Sequence, residues 1–207
     1  ESLDWADVVG IGPGLGTSAQ AATLLKTLLA HCQKPLVIDA DGLNLLKDRI
    51  SLLKEHKGPV LLTPHLGEFA RISGISPEEW KKNPVNLTKR LAKELSAVLI
   101  CKDARTVVST PEGRTYVNLS GNDGLATAGS GDVLTGILLG LLAQGYPPEK
   151  AASLGVYLHG AAGDQAASRI GKAAILASDI IQSAGELLKD LELQKEMTAQ
   201  KEGTQLS

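Results

Sequence analysis

Asp7-Val8-Val9-Gly10-Ile11-Gly12-Pro13-Gly14-Leu15-Gly16-Thr17 is the stretch whose reading decides the fold class. Its first residues are a β-rich apolar run, its middle is a glycine loop, and Thr17 opens a segment with Leu24, Leu25, Leu28 and Leu29 on one helical side. Thr17 and Gln20 form a Thr-x-x-Gln capping box, in which side chains partner the first free amides of a helix. The same strand, loop and helix recur. Pro35-Leu36-Val37-Ile38-Asp39 precedes a helix from about Gly42, and Pro59-Val60-Leu61-Leu62-Thr63 precedes one near Gly67. A helix from about Val85 to Leu95 then leads into Ala97-Val98-Leu99-Ile100-Cys101. Continuous apolar runs suit strands covered on both faces. Strands alternating with helices imply a parallel α/β sheet.

After Cys101 the pattern changes. Thr106-Val107-Val108-Ser109 and Arg114-Thr115-Tyr116-Val117 flank the turn residues Thr110-Pro111-Glu112-Gly113, which predicts an antiparallel hairpin at the sheet's edge. From Asp132 onward the chain reads as helical near 132–144, 148–168 and 178–192, with Ser178-Asp179 as a cap for the last. The expected organisation is one domain over 1–194 and a polar, fraying tail over 195–207.

Composition narrows the function. The 207 residues are 43% apolar and 21% charged, an ordinary balance for one globular domain. With 21 basic against 23 acidic residues there is no positive surplus for a nucleic-acid backbone, so nucleic acid is not expected as a partner. Cys32 and Cys101 have no second Cys or His at metal-clip spacing, so neither a disulfide framework nor a zinc site is indicated, and a cytoplasmic setting is expected. Glu1-Ser2-Leu3-Asp4-Trp5 lacks the basic start of a signal peptide, and the longest apolar stretch, Val133 to Ala143, is short of the ~20 residues that span a membrane.

The 22 glycines are clustered, and two clusters are candidates for chemistry. Gly10-Ile11-Gly12-Pro13-Gly14-Leu15-Gly16 lets a ligand approach the backbone near the positive end of a helix, or is a tight βα turn without a ligand. It fits neither Gly-x-Gly-x-x-Gly nor the P-loop, which weakens a Rossmann oxidoreductase and a P-loop ATPase. In the second cluster, Gly121 through Asp132, a carboxylate sits in the first turn of an apolar helix. The backbone of Gly129, Ser130 and Gly131 forms an anion hole suited to a phosphate as charge develops on it, and Asp132 is placed to take a proton from an attacking hydroxyl. Alternatively, Asp132 only caps the helix dipole.

Four stretches occur in order: Gly12-Pro13-Gly14-Leu15-Gly16, Ile38-Asp39-Ala40-Asp41-Gly42-Leu43-Asn44, Thr63-Pro64-His65-Leu66-Gly67-Glu68, and Gly121-Asn122 through Gly129-Ser130-Gly131-Asp132-Val133-Leu134-Thr135-Gly136. Together the chain resembles the ADP-dependent NAD(P)H-hydrate dehydratases, a metabolite-repair family, to about Ala167. The resemblance implies an α/β fold, the ribokinase-like three-layer αβα sandwich with a largely parallel central sheet. It also implies dehydration of (6S)-hydrated NADH or NADPH by way of a phosphorylated ring hydroxyl, with ADP consumed to AMP and phosphate and Mg²⁺ as cofactor. Carried over by residue, it gives Asp132 as the catalytic base and Gly16, His65 and Asp132 as substrate-binding. Lys102, Asp103, Ala104, Arg105 and Thr106, with Gly131, become the nucleotide-binding residues. His65-Leu66-Gly67-Glu68 stands where the wider superfamily has Asn-x-x-Glu, which makes Glu68 the metal-organising residue. His159 is expected to pack or cap, and His31 and His56 to lie on the surface.

The resemblance has two departures. Where the family commonly has Lys-Gly, this chain reads Lys102-Asp103-Ala104-Arg105-Thr106, placing an extra carboxylate near a polyanion. The family also begins with a strand and a glycine-containing segment ahead of the first motif, so the N-terminal part of the domain is expected to be missing. The expected assembly is a homo-oligomer, and an epimerase domain or protein is expected to act on the same substrate. The alternatives are a ribokinase-like kinase for a vitamin-precursor alcohol and a nucleotide-binding fragment without activity of its own.

Overall fold

Strand β1 (Val9–Ile11) leads into helix α1 (Ala19–His31), β2 (Leu36–Ile38) into α2 (Asp41–Leu46), and β3 (Val60–Leu62) into α3 (Leu66–Ser73), α4 (Pro77–Lys82) and α5 (Pro84–Leu95). Strand β4 (Val98–Cys101) is followed by β5 (Val107–Ser109) and β6 (Thr115–Val117), and then by helices α6 (Ser130–Ala143), α7 (Pro148–Ile170) and α8 (Ala177–Thr204). The computed structural model describes Leu3 and residues 5–204, with side chains as far as residue 191. Two compact units are distinguished: Glu1–Leu119 with Leu134–Val156, and Ser120–Val133 with Tyr157–Ser207.

The first unit holds a six-stranded sheet in the order β1-β2-β3-β4-β5-β6. Strands β1 to β4 are parallel, and β5 and β6 pair antiparallel at one edge, as the hairpin signal predicts. Successive side chains of a strand point to opposite faces, so each strand feeds two cores. Leu36, Ile38, Val60, Leu62, Leu99 and Cys101 join buried residues of α1, α2, α3 and α5. Val37, Leu61, Val98, Ile100 and Val108 join Leu134, Leu138, Leu141, Leu142, Ala151, Ala152 and Val156 on the other face. The result is a helix, sheet, helix sandwich. No helix among the described residues is long and apolar enough to cross a membrane.

Several local expectations are corrected. Helix α1 is capped by Ser18, whose hydroxyl accepts from the Ala21 amide at 3.2 Å, not by a Thr17-Gln20 box. Ser18 has the extended backbone an N-cap requires (φ −67°, ψ 164°), while Gly16 at φ +73° makes the turn. Helix α8 starts one residue earlier than expected, and Asp179 reaches back to accept from the Leu176 amide at 2.9 Å. The helix includes 195–204 of the expected tail, and 205–207 lie outside the described residues. His56 is buried rather than superficial, with Nε2 3.0 Å from the Lys34 carbonyl. Helix α4 was not expected, yet its signals are present in Ser76 at the cap, Pro77 at the first position, and Glu78-Glu79 before Lys81-Lys82.

Candidate active site

In the first unit, the carboxyl ends of the parallel strands carry residues from three of the ordered motifs together with Lys102. Ligands of open α/β sheets bind outside those ends. After β1 the chain passes through Gly12 at φ +131°, where a Cβ would overlap the carbonyl of Asp39. Gly16, exposed, donates its amide to Asp41 Oδ2 at 2.9 Å, so the first loop is tied to the start of α2.

Asp39 directly follows β2 and stands within one of the ordered motifs without an expected role. Its side chain is only 3% exposed, and its Oδ1 accepts from Lys102 Nζ at 2.9 Å. Its Oδ2 accepts from the buried Thr135 hydroxyl at 2.9 Å. The next residue, Ala40, has φ 48° and ψ −121°, a conformation that L-residues avoid at a cost of ~1–3 kcal/mol. It aims the carboxylates on either side of it at Lys102 and at Gly16.

His65 caps α3. Its Nδ1 accepts from the amides of Gly67 at 2.9 Å and Glu68 at 3.2 Å, and Glu68 Oε2 accepts from the His65 amide at 2.9 Å. An Nδ1 that accepts leaves the ring proton on Nε2, which lies 3.4 Å from Glu68 Oε1. The imidazole is therefore held from behind while more than half of the side chain faces solvent. Glu68 is buried within the cap. Pairing of β3 with β4 continues past both strands, with Lys102 donating its amide to the Pro64 carbonyl at 2.8 Å and His65 bridged to Lys102. Asp103, Ala104 and Arg105 are exposed on the turn between β4 and β5, with Lys102 and Thr106 half-buried at its ends. Burial pushes the Cys101 thiol well above its ordinary range, and the Asp103 carboxylate adds to the effect.

The second unit contains the other glycine cluster. Asp164 of α7 accepts from the Gly121 amide at 2.7 Å and from Asn122 Nδ2 at 2.8 Å, fixing the start of the loop. Its end is fixed by His159, whose Nε2 lies 2.9 Å from the Ser130 carbonyl and 3.1 Å from its hydroxyl. Gly129 at φ +83° turns the chain into α6. The Ser130 amide is spent on the Thr127 carbonyl, and Val133 reaches back to Gly129. The amides of Gly131 and Asp132 then belong to the first turn, where no intrahelical acceptor exists. Asp132 is exposed beside them. Of the three residues expected to form an anion hole, Gly129, Ser130 and Gly131, Ser130 has its amide engaged within the loop.

A family model described as NAD(P)H-hydrate dehydratase matches residues 1–184. The chain belongs to the NAD(P)H-hydrate dehydratase family. It is 46% identical over 192 residues to the bifunctional NAD(P)H-hydrate repair enzyme Nnr of Moorella thermoacetica, covering 93% of this chain and 36% of that protein. It is 42% identical over 180 residues to the ADP-dependent (S)-NAD(P)H-hydrate dehydratase of Neisseria meningitidis, covering 86% of this chain and 60% of that one. The ADP/ATP-dependent NAD(P)H-hydrate dehydratase of Bacillus subtilis, co-crystallized with ATP and Mg²⁺, superposes with a TM-score of 0.79 at 31% identity. That match covers 89% of this chain and 66% of the other. The chain spans about a third of the length of the bifunctional relative, and its fold is the ribokinase-like one.

Among the described residues, no three His, Cys, Asp or Glu side chains gather to hold a metal. Asp39 has both oxygens engaged and Glu68 is spent largely on the cap. Such a donor set fits only an ion like Mg²⁺ that keeps its waters and takes most ligands from phosphates.

Proposed function

We propose that this domain, over 1–194, dehydrates (6S)-hydrated NADH or NADPH with ADP as phosphoryl donor. The observation that carries the reading is the family match across residues 1–184, supported by Gly16, His65 and Lys102 lying at the carboxyl ends of parallel strands. Asp132 takes the proton of the ring hydroxyl as its oxygen attacks the terminal phosphorus of ADP. An O–P bond forms, the bridging P–O bond breaks, and AMP leaves. The ring nitrogen's electron pair then expels phosphate, a neighbouring carbon loses its proton, and the ring double bond is restored. Hydrate and ADP become NAD(P)H, AMP and phosphate.

The amides of Gly131 and Asp132 stabilise the phosphoryl group in flight, since first-turn donors favour developing negative charge. Lys102 supplies a cation for the nucleotide, and the turn from Asp103 to Thr106 lines its path. Arg105 offsets the charge of Asp103. Gly16 and His65 take the hydrated dinucleotide, His65 through its Nε2–H. Mg²⁺, when bound, neutralises phosphate charge; Glu68 would hold it through water. The buried free thiols Cys32 and Cys101 suit a reducing cytoplasm.

The test is to incubate the protein with hydrated NADH, Mg²⁺ and either ADP or ATP while following reduced nicotinamide and released phosphate. Both should appear in equal amounts, with ADP the better donor. Appearance of neither product with either nucleotide overturns the proposal.

A further inference from the structure

The ion pair of Asp39 with Lys102 joins residues 63 positions apart, and the hydrogen bond of Thr135 to the same carboxylate joins residues 96 positions apart. Asp39 is 3% exposed and Lys102 23%, so the pair is shielded on the carboxylate's side and reachable from solvent on the ammonium's side. Both carboxylate oxygens are used. Thr135 fixes one of them from α6, which leaves the other aimed along one line at Nζ. Lys102 is therefore held, charge-compensated, at the end of β4. A phosphate arriving there meets an ammonium that already has a counter-ion.

We propose that Asp39 is a positioning residue that stores Lys102 and surrenders it to the nucleotide. In the free protein Asp39 neutralises and orients the ammonium, and when ADP binds Nζ turns from the Asp39 carboxylate to a phosphate oxygen. The inference deepens the proposed function, because it rests on Lys102 being a nucleotide residue. Two consequences follow from charge alone. Asp39 competes with the phosphate for the same cation and so weakens nucleotide binding. It also fixes where that cation stands during phosphoryl transfer, and misplaced positive charge slows such a transfer. A residue needed only for folding would, on removal, weaken binding and turnover together. Asp39 should move them in opposite directions.

The isosteric substitution Asp39→Asn keeps an acceptor for Lys102 and lets the amide donate to the Thr135 oxygen, so only the charge is lost. By calorimetry this variant should bind ADP about three- to ten-fold more tightly, as expected when the carboxylate that competes with the phosphate for the Lys102 cation is neutralised at partial burial. Its kcat with hydrated NADH should fall at least about ten-fold. In a Lys102→Ala background the gain in ADP affinity should vanish, because Asp39 acts through Lys102. The wild-type protein gives a second readout that needs no variant. The Lys102 ammonium protons should be visible by NMR as a slowly exchanging signal that shifts on adding ADP. Weaker ADP binding by Asp39→Asn, a gain that survives in the Lys102→Ala background, or an ammonium signal indifferent to ADP each overturns the inference. Because calorimetry and NMR use ADP alone, a protein that shows the exchange yet leaves hydrated NADH unchanged would refute the dehydratase reading and keep this one.

Discussion

Asp132 differs from Asp39, Asp41 and Glu68 in what holds it. Asp39 and Glu68 are buried and engaged, Asp41 is tied to Gly16, and Asp132 stands exposed in the first turn of α6. A group that must take and give back a proton is best left reachable. Asp132→Asn should therefore lower turnover by ~10²–10⁴-fold, the usual worth of a positioned base, while ADP affinity measured by calorimetry changes less than about two-fold. Equal loss of both would count against the role. At this scale the sequence shows which residue types sit at loop ends, but not their partners. Asp39 was visible inside a motif, yet the cation and hydroxyl that define it come from β4 and α6, distances no local pattern spans. His159 was expected to pack or cap, but its partner Ser130, like the loop partners of Asp164, was hidden, since a loop's anchors on another helix leave no mark in the loop.

At the scale of elements, helix α3 is the informative case. Its start is made by His65, a residue seldom read as a cap, and its end by Gly74 in the left-handed conformation at φ 73°. The imidazole thus serves the helix with Nδ1 and holds Nε2 near the Glu68 carboxylate, while more than half of the side chain stays exposed, so its two duties can be separated by substitution. His65→Ala should cost ~1 kcal/mol of stability, as cap deletions do, read from thermal unfolding. His65→Asn should recover most of that stability, because its side-chain oxygen can accept from the same amides, yet leave KM for hydrated NADH raised to the level of the alanine variant. Recovery of KM along with stability would reduce His65 to a cap. Strands and helices themselves were legible because burial on both faces writes continuous apolar runs. Their ends were less so: Ser18 and Asp179 cap where neighbouring polar residues looked equally apt, and only backbone conformation decides between them.

For the whole molecule, the buried Cys101 thiol couples stability to alkaline pH. Its ordinary value is 9.0, and the folded state raises it. Above about pH 9 the unfolded chain loses this proton while the folded chain keeps it, so the unfolded state binds fewer protons and stability falls as pH rises. The slope approaches at most ~1.4 kcal/mol per pH unit. Urea unfolding between pH 8 and 10.5 should show this decline in the wild-type protein and a shallower one in Cys101→Ala; identical slopes would assign the decline to other groups. The simple strand order has its own consequence during synthesis. Each strand of the sheet pairs with the one made just before it, so the sheet can grow as the chain leaves the ribosome, and the helices α1 to α5 that cover one face are made along with it. The other face waits. Val37, Leu61, Val98, Ile100 and Val108 have no cover until Leu134 to Val156 emerge, so until then the nascent chain carries a bare apolar sheet face, the kind of surface that invites chaperones or aggregation.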